Sequence, residues 1–281
     1  LINPKKINKI LRKEKPNLII HLAAQSLVDE TINKQKYILN NIEATKNLVN
    51  AMIKNKLDNL VFSSTAAVYK FRNTAITEKS KIYPKSTYAI TKLKCEKIIK
   101  NSKLNSIILR FFNVCSSLKV GNKIIGEFHN PETHLIPTIV YKNLAKKKIY
   151  IYGDNYKTKD GTCVRDYIHI KDICNVIEKS IYYLKKNKNI FEIMNIGSSS
   201  NKTNLEILSK IEVLTKYKNN FQIKNNRKGD ADSLKCSILK AKKKLKWKPT
   251  SSNINKIIKD EIEWVEYLLK NKKFRRFKNY F

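Results

Sequence analysis

Residues 59 to 69 read NLVFSSTAAVY, an apolar run that ends in three hydroxyls and two alanines. Four to eight apolar and β-branched residues bounded by polar ones read as a buried strand, and the hydroxyls fall where that strand would stop. Two similar runs flank it. NLIIHLAA at 17–24 precedes it and SIILRFFNV at 106–114 follows, and helix-period segments fill the intervals. NPKKINKILRKEKP leads into the first run, a stretch reaching NLVNAMIKNK into the second, and TKLKCEKIIK into the third. Alternating strands and helices predict a parallel sheet covered by helices rather than an all-β shell or a helical bundle.

The middle of the chain changes character. From KVGNKIIGEFHNPETH to YIYGDNYKTKDGTCVRDYIHI, short apolar pieces are broken by turn-rich polar ones, which reads as a second domain or an elaborated substrate cover. FEIMNIG then reads as a strand, NLEILSKIEVLTK as a helix, ILKAKKKLKWKP as a short helix ending before Pro249, and NINKIIKDEIEWVEYLLKN as the strongest terminal helix. A boundary falls near residues 112–125, with later segments able to return to the first domain.

Composition narrows the class. A chain of 281 residues with 42% hydrophobic content can bury a sizeable core. Five cysteines without paired spacing give no disulfide framework, no Cys/His zinc pattern stands out, and no metal is expected. No stretch has the apolar length of a membrane span and the first residues lack a signal peptide's apolar core, so a cytoplasmic protein is the default. The net charge of +35 raises nucleic-acid binding. The lysines, however, spread through nearly every polar stretch, which reads as a general basic background; the basic tail KNKKFRRFKNYF reads as a solvated terminus. Trp247 and Trp264 read as packing residues, and His21 as a packed strand-end histidine.

Chemistry enters at YPKSTYAITK, residues 83–92. Tyr88 and Lys92 stand one helical turn apart, so a lysine charge near the phenol would favour its phenolate. Thr65, at the end of NLVFSST, could hydrogen-bond a reacting hydroxyl if the fold brings it across from Tyr88. Spacing alone follows from the helix period, and a lone Tyr–Lys pair reads first as ordinary helix surface.

The wider set of motifs is more specific. HLAAQSLVDE at 21–30, NNIEAT at 40–45, FSSTAAVY at 62–69, YAITK and LRFFNV at 109–114 resemble, in that order, the extended short-chain dehydrogenase/reductase family. GEFHNPETHLIP, YIYGDNYKTKDGTCVRDYIHI and NRKGDADSLKCSILKAKKKLKWKP resemble its UDP-glucose 4-epimerases, across nearly the whole chain. That resemblance implies an α/β fold: an incomplete Rossmann-like parallel sheet over residues 1–118 and a smaller, mainly nucleotide-sugar-binding region over 119–281. It implies NAD as cofactor, UDP-glucose and UDP-galactose as substrates, and a homodimer.

On the same resemblance Tyr88 is the catalytic tyrosine, and Lys92 contacts the nicotinamide ribose and lowers the tyrosine pKa. Thr65 supports proton transfer, and Asn41 lies near the cofactor. Asn113 contacts the nucleotide sugar, Arg165 and Arg227 hold the diphosphate, and Asp230 addresses the uridine ribose. The implied reaction oxidises the hexose at C4, turns the 4-keto sugar and reduces its opposite face; N-acetylated sugars fit if the pocket is roomy.

The chain departs from the pattern in three places. Ala44 stands where the family usually has glycine, Ser26 where many epimerases carry a lysine, and no glycine-rich dinucleotide loop occurs in the sequence. The last departure suggests a fragment that lacks the first sheet elements, and such a chain is expected to hold NAD weakly or to be inactive. The runner-up activity is a nucleotide-sugar 4,6-dehydratase, which needs an Asp-Glu pair where STAAVY has Ala66 and Ala67.

Overall fold

The three apolar runs become neighbouring parallel strands in the computed structural model, which describes residues 1–27, 33–129, 131–227 and 230–271. Part of HLAAQSLVDE (28–30), Lys228 and Gly229 of NRKGD, and tail residues 272–281 lie outside the described residues. Helix α1 (Pro4–Glu14) starts at a side-chain cap, Asn3 Oδ1 accepting from the Lys6 amide at 3.0 Å, with Pro4 at its first position where no amide is needed. It leads to β1 (Ile19–His21). Helix α2 (Lys34–Tyr37) runs through a π-helical turn (Ile38–Glu43) into α3 (Ala44–Lys54), followed by β2 (Asn59–Thr65), α4 (Thr87–Asn101) and β3 (Asn105–Phe111).

Phe112 interrupts what the sequence reads as one strand. Phe111 ends β3 in the first sheet, and β4 (Asn113–Cys115) pairs elsewhere. A hairpin, β5 (Leu118–Val120) and β6 (Lys123–Ile125), turns on Gly121 at φ +57°. Then come α5 (Leu135–Leu144), β7 (Ile149–Tyr152), β8 (Val164–His169), α6 (Ile170–Lys186) and β9 (Phe191–Ile196). The chain continues through β10 (Asn201–Thr203), α7 (Asn204–Thr215), β11 (Phe221–Lys224), β12 (Ser233–Leu234), α8 (Leu239–Leu245) and α9 (Ile254–Lys270).

The first sheet has the order β1-β2-β3-β9, all parallel, so residues 191–196 return to the part of the fold begun by β1. Alternation along its strands explains how both faces are covered. Leu60, Phe62 and Ile108 point toward α1, α3 and α4, joining Ile7, Met52 and Ile99. Val61, Ile107 and Leu109 point the other way, joining Val176 of α6 and Trp247 beyond α8.

A second sheet centres on β8, which pairs with β4, β10 and β12. A separate cluster, including Ile139, Ile151, Ile211 and Val265, packs α5, α7 and α9 around β7. Trp247 and Trp264 are both buried, and all five cysteines are free. Among the described residues, no helix is long and apolar enough to cross a membrane.

Ile108 is fully buried on β3. Replacing it with alanine is expected to lower stability by about 2–5 kcal/mol, read as a reduced urea midpoint with an unchanged slope.

Candidate active site

The strand ends deliver the hydroxyls. Thr65 closes β2 and caps a short 3₁₀ turn (66–68), its Oγ1 accepting from the Ala67 amide at 3.2 Å. Across from it, α4 starts where Ser86 Oγ accepts from the Ala89 amide at 3.2 Å, which places Tyr88 in the first turn. The Thr65 side chain lies close enough to the Tyr88 phenol to favour its ionised form. Thr65 and Tyr88, 23 positions apart by number, are therefore brought together by strand end and helix start.

Lys92 is 2% exposed, with Nζ 4.2 Å from the centre of the Phe62 ring. Among the described residues no carboxylate ion-pairs with it, so its donors are free for oxygens such as those of a ribose diol. Burial lowers its pKa to about 8, against the raising influence of Cys95 and Glu96. Tyr88 moves the other way. Burial pushes it up to about 12, and the nearby Thr65 hydroxyl tempers the rise. The lowering of the tyrosine pKa by Lys92 that the resemblance implies is thus not produced by these residues on their own; desolvation dominates. His21 lies nearby, its Nε2 3.0 Å from Thr45 Oγ1, held neutral with a pKa near 4 by burial and then by the Lys92 charge.

Asn41 has a structural task. Buried on the π-helical turn, its Oδ1 accepts from the Gln25 amide at 2.7 Å, and its Nδ2 donates to Gln25 O at 3.2 Å and Thr91 Oγ1 at 3.0 Å. It clamps the loop after β1 to α4, directly beside Lys92. π-Turns of this kind occur frequently at functional sites.

The remaining candidates line one cavity of about 560 Å³: Asn113, Arg165, Arg227 and Asp230, with Tyr152 among them. Asn113 donates to Asp166 O at 3.1 Å. Arg165 Nη1 donates to Val164 O and Ala231 O, and its Nη2 lies 3.6 Å from Asp230 Oδ1. The Arg227 guanidinium stacks on Tyr152, 3.8 Å from the ring centre. Arg165 and Asp230 also border a smaller cavity with Ala67 and Ser86, neighbours in sequence of Thr65 and Tyr88. Arg165 therefore links the larger cavity to the one beside Thr65 and Tyr88.

Three comparisons bear on this arrangement. Residues 1–260 match the family model described as GDP-mannose 4,6 dehydratase. A UDP-glucose 4-epimerase of Lactobacillus helveticus is 37% identical over 92% of this chain and 79% of its own length. The chain belongs to the UDP-glucose 4-epimerase family. Among solved structures of that family, the Brucella ovis enzyme in complex with NAD superposes with a TM-score of 0.88 at 29% identity, over 94% of this chain and 82% of that one. The Bifidobacterium longum enzyme with NAD⁺ and UDP gives 0.84 at 26%, over 95% and 81%.

Against the family pattern, Ser26 is exposed and supplies no cation where many epimerases have one, and Ala44 is buried at the start of α3. Sequence reasoning missed Glu96 and Arg110, which form a buried bidentate pair beneath the hydroxyls, at 2.9 and 2.6 Å. The signal was present: Glu96 continues the Tyr88, Lys92 series by another four residues. It also missed Tyr152, and Glu132 and His134, which line the larger cavity.

The buried lysine makes a pH prediction. Its folded pKa lies below its unfolded value, so the penalty for burying its charge is complete below pH 8 and is relieved between about pH 8 and 10.5. Lys92→Met is expected to be more stable than the parent by roughly 3 kcal/mol at pH 7. That gain should shrink as pH rises through this window, as followed by urea unfolding at a series of pH values.

Proposed function

We propose that the protein interconverts UDP-glucose and UDP-galactose through a transient 4-keto sugar. The observation that carries this reading is the approach of the Thr65 hydroxyl to the Tyr88 phenol beside a buried Lys92, with Ala67 and Ser86, two residues from each, bordering a cavity that shares Arg165 with the larger one. NAD, when bound, supplies a hydride acceptor and donor at C4. The residues that would hold its nicotinamide end are Tyr88 and Lys92, with Asn41 fixing the adjoining loop. No glycine-rich loop for its pyrophosphate occurs in these 281 residues, and that role is assigned to none of them.

The chain's own part is proton transfer and grip. With a pKa of about 12, the phenolate fraction of Tyr88 at pH 7 is only about 10⁻⁵, so a positive charge must approach its oxygen for it to act as a base. Lys92, mostly protonated at pH 7, is the cation this chain provides. Tyr88 then takes the C4 hydroxyl proton, with Thr65 orienting or relaying it, and returns it after the sugar has turned. Arg165 and Arg227 hold the diphosphate by charged hydrogen bonds during that turn, while Asn113 meets the sugar and Asp230 the uridine ribose.

The dehydratase alternative meets a specific obstacle. Removing the C6 hydroxyl needs an acid beside the threonine, and Ala66 is buried while Ala67 borders the smaller cavity. Within this proposal, residues 1–118 form the NAD-side domain and 119–281 mainly the sugar-nucleotide side, with α6, β9 and α8 packed back onto the first sheet. The working assembly is a homodimer in the cytoplasm.

Tyr88→Phe is expected to reduce the rate of UDP-galactose conversion by about 10²–10⁴-fold while leaving UDP affinity unchanged. Full turnover by a folded Tyr88→Phe protein would overturn the assignment.

A further inference from the structure

The loop between β6 and α5, GEFHNPETH at 126–134, gathers two acids and two histidines. Glu127 Oε2 lies 3.6 Å from His129 Nε2 and 3.1 Å from His134 Nδ1, and the three atoms all fall within 4.8 Å of one another. The two imidazoles meet edge to face with their centres 5.0 Å apart. Four-coordinate zinc, with bonds of about 2.0–2.1 Å, sets neighbouring donor atoms about 3.3 Å apart. The spacing of these side chains brackets that value.

Hydrogen bonding alone leaves this cluster incomplete. His134 Nδ1 is 3.1 Å from both Glu127 Oε2 and Glu132 Oε1, and one N–H cannot serve both well. Glu132 Oε1 already accepts from the Thr133 and His134 amides at 2.7 Å each, while its Oε2 is buried without a hydrogen-bond partner.

Glu261, on α9, adds an independent observation. It is fully buried, and neither carboxyl oxygen makes a hydrogen bond of ordinary geometry, the Ser116 backbone being close enough only to temper its shift. Burial, then the charges of Glu127 and Glu132, push its pKa up to about 8. Among the described residues no lysine or arginine ion-pairs with Glu132 or Glu261, in a chain whose net charge is +35. A positive ion beside these carboxyls would lower the cost of burying their charge.

We propose that Glu127, His129 and His134 bind a divalent cation of the zinc class, with Glu132 Oε1 holding the His134 backbone amide beside them. Two imidazole nitrogens and a carboxylate oxygen suit that class better than calcium or magnesium, which take oxygen ligands. The histidine side chains are 28% and 49% exposed, which leaves a route in from solvent. The ion would tie the loop to α9, where Trp264 Nε1 already donates to Glu127 O at 2.8 Å. It would also stiffen the cavity wall formed by Glu132 and His134 opposite Arg165 and Asp230.

The test is to strip the purified full chain with a chelator and titrate Zn²⁺ against a chromophoric competitor, with Co²⁺ as a spectroscopic probe. The expected result is one Zn²⁺ per chain, visible Co²⁺ bands of a low-coordinate nitrogen and oxygen site, and a raised thermal midpoint in the loaded protein. His129→Ala should weaken binding by more than the roughly 10–100-fold lost with an outer partner of a metal ligand. Circular dichroism checks that the variant folds, and His134→Gln is the second variant. If neither variant folds, the Co²⁺ spectrum of the parent decides, and thiolate charge-transfer bands would place the ion at a cysteine such as the exposed Cys174 and overturn the proposal. Absence of stoichiometric Zn²⁺, or unchanged affinity in His129→Ala, overturns it as well.

Discussion

The carboxylate of Glu96 on α4 meets the guanidinium of Arg110 on β3 inside the core, each side chain 4% exposed, through paired bonds of 2.9 and 2.6 Å. Neither charge has a substitute partner in water, so breaking the pair from one side strands the other; such losses typically cost about 3–5 kcal/mol. The pair therefore fixes the height of α4 against the sheet. Ser64 donates to the same carboxylate, and Arg110 lies over the ring of Tyr69, whose hydroxyl donates to Asn195 on β9. Ser64 immediately precedes Thr65. Glu96 stands one turn beyond Lys92 and two beyond Tyr88, so the ion pair determines which residue of α4 faces the threonine.

The same geometry explains why a site in this position combines stability costs with function. Lys92 is buried with only an aromatic face and neighbouring dipoles for company, and its lowered pKa records that cost. Tyr88 is held neutral by the same desolvation. Positioning comes from groups that do not touch substrate: Asn41 clamps the loop after β1, and Glu96–Arg110 anchors the helix. The basic character of the chain plays little part here. Its many lysines lie mostly outside, whereas the two arginines assigned to the diphosphate are held by carbonyls and an aromatic ring within a cavity.

Much of the first sheet was legible because short continuous apolar runs and helical periods are local signals. Leu60, Val61 and Phe62 alternate between two cores in the way the sequence pattern requires. The break at Phe112 was not legible, since SIILRFFNV reads as one strand and only pairing partners 50 or more residues away divide it between two sheets. Thr65, Tyr88 and Lys92 stood out through motif order, and their meeting follows from strand end facing helix start. Glu96–Arg110 escaped notice because it depends on tertiary contact, and Glu127, His129 and His134 because no periodic signal reports how their loop folds. The direction of the Tyr88 shift escaped for a related reason, since burial cannot be read from the spacing of a phenol and a lysine.

The central claim is that the Thr65–Tyr88 pair moves a proton on and off the C4 hydroxyl of a UDP-hexose and does nothing at C5 or C6. Incubating the protein with UDP-galactose and NAD in deuterated water, and following the sugar by NMR, tests this most directly. The account predicts UDP-glucose with no solvent deuterium on carbon. A stable 4-keto-6-deoxy sugar carrying deuterium at C5 would contradict it.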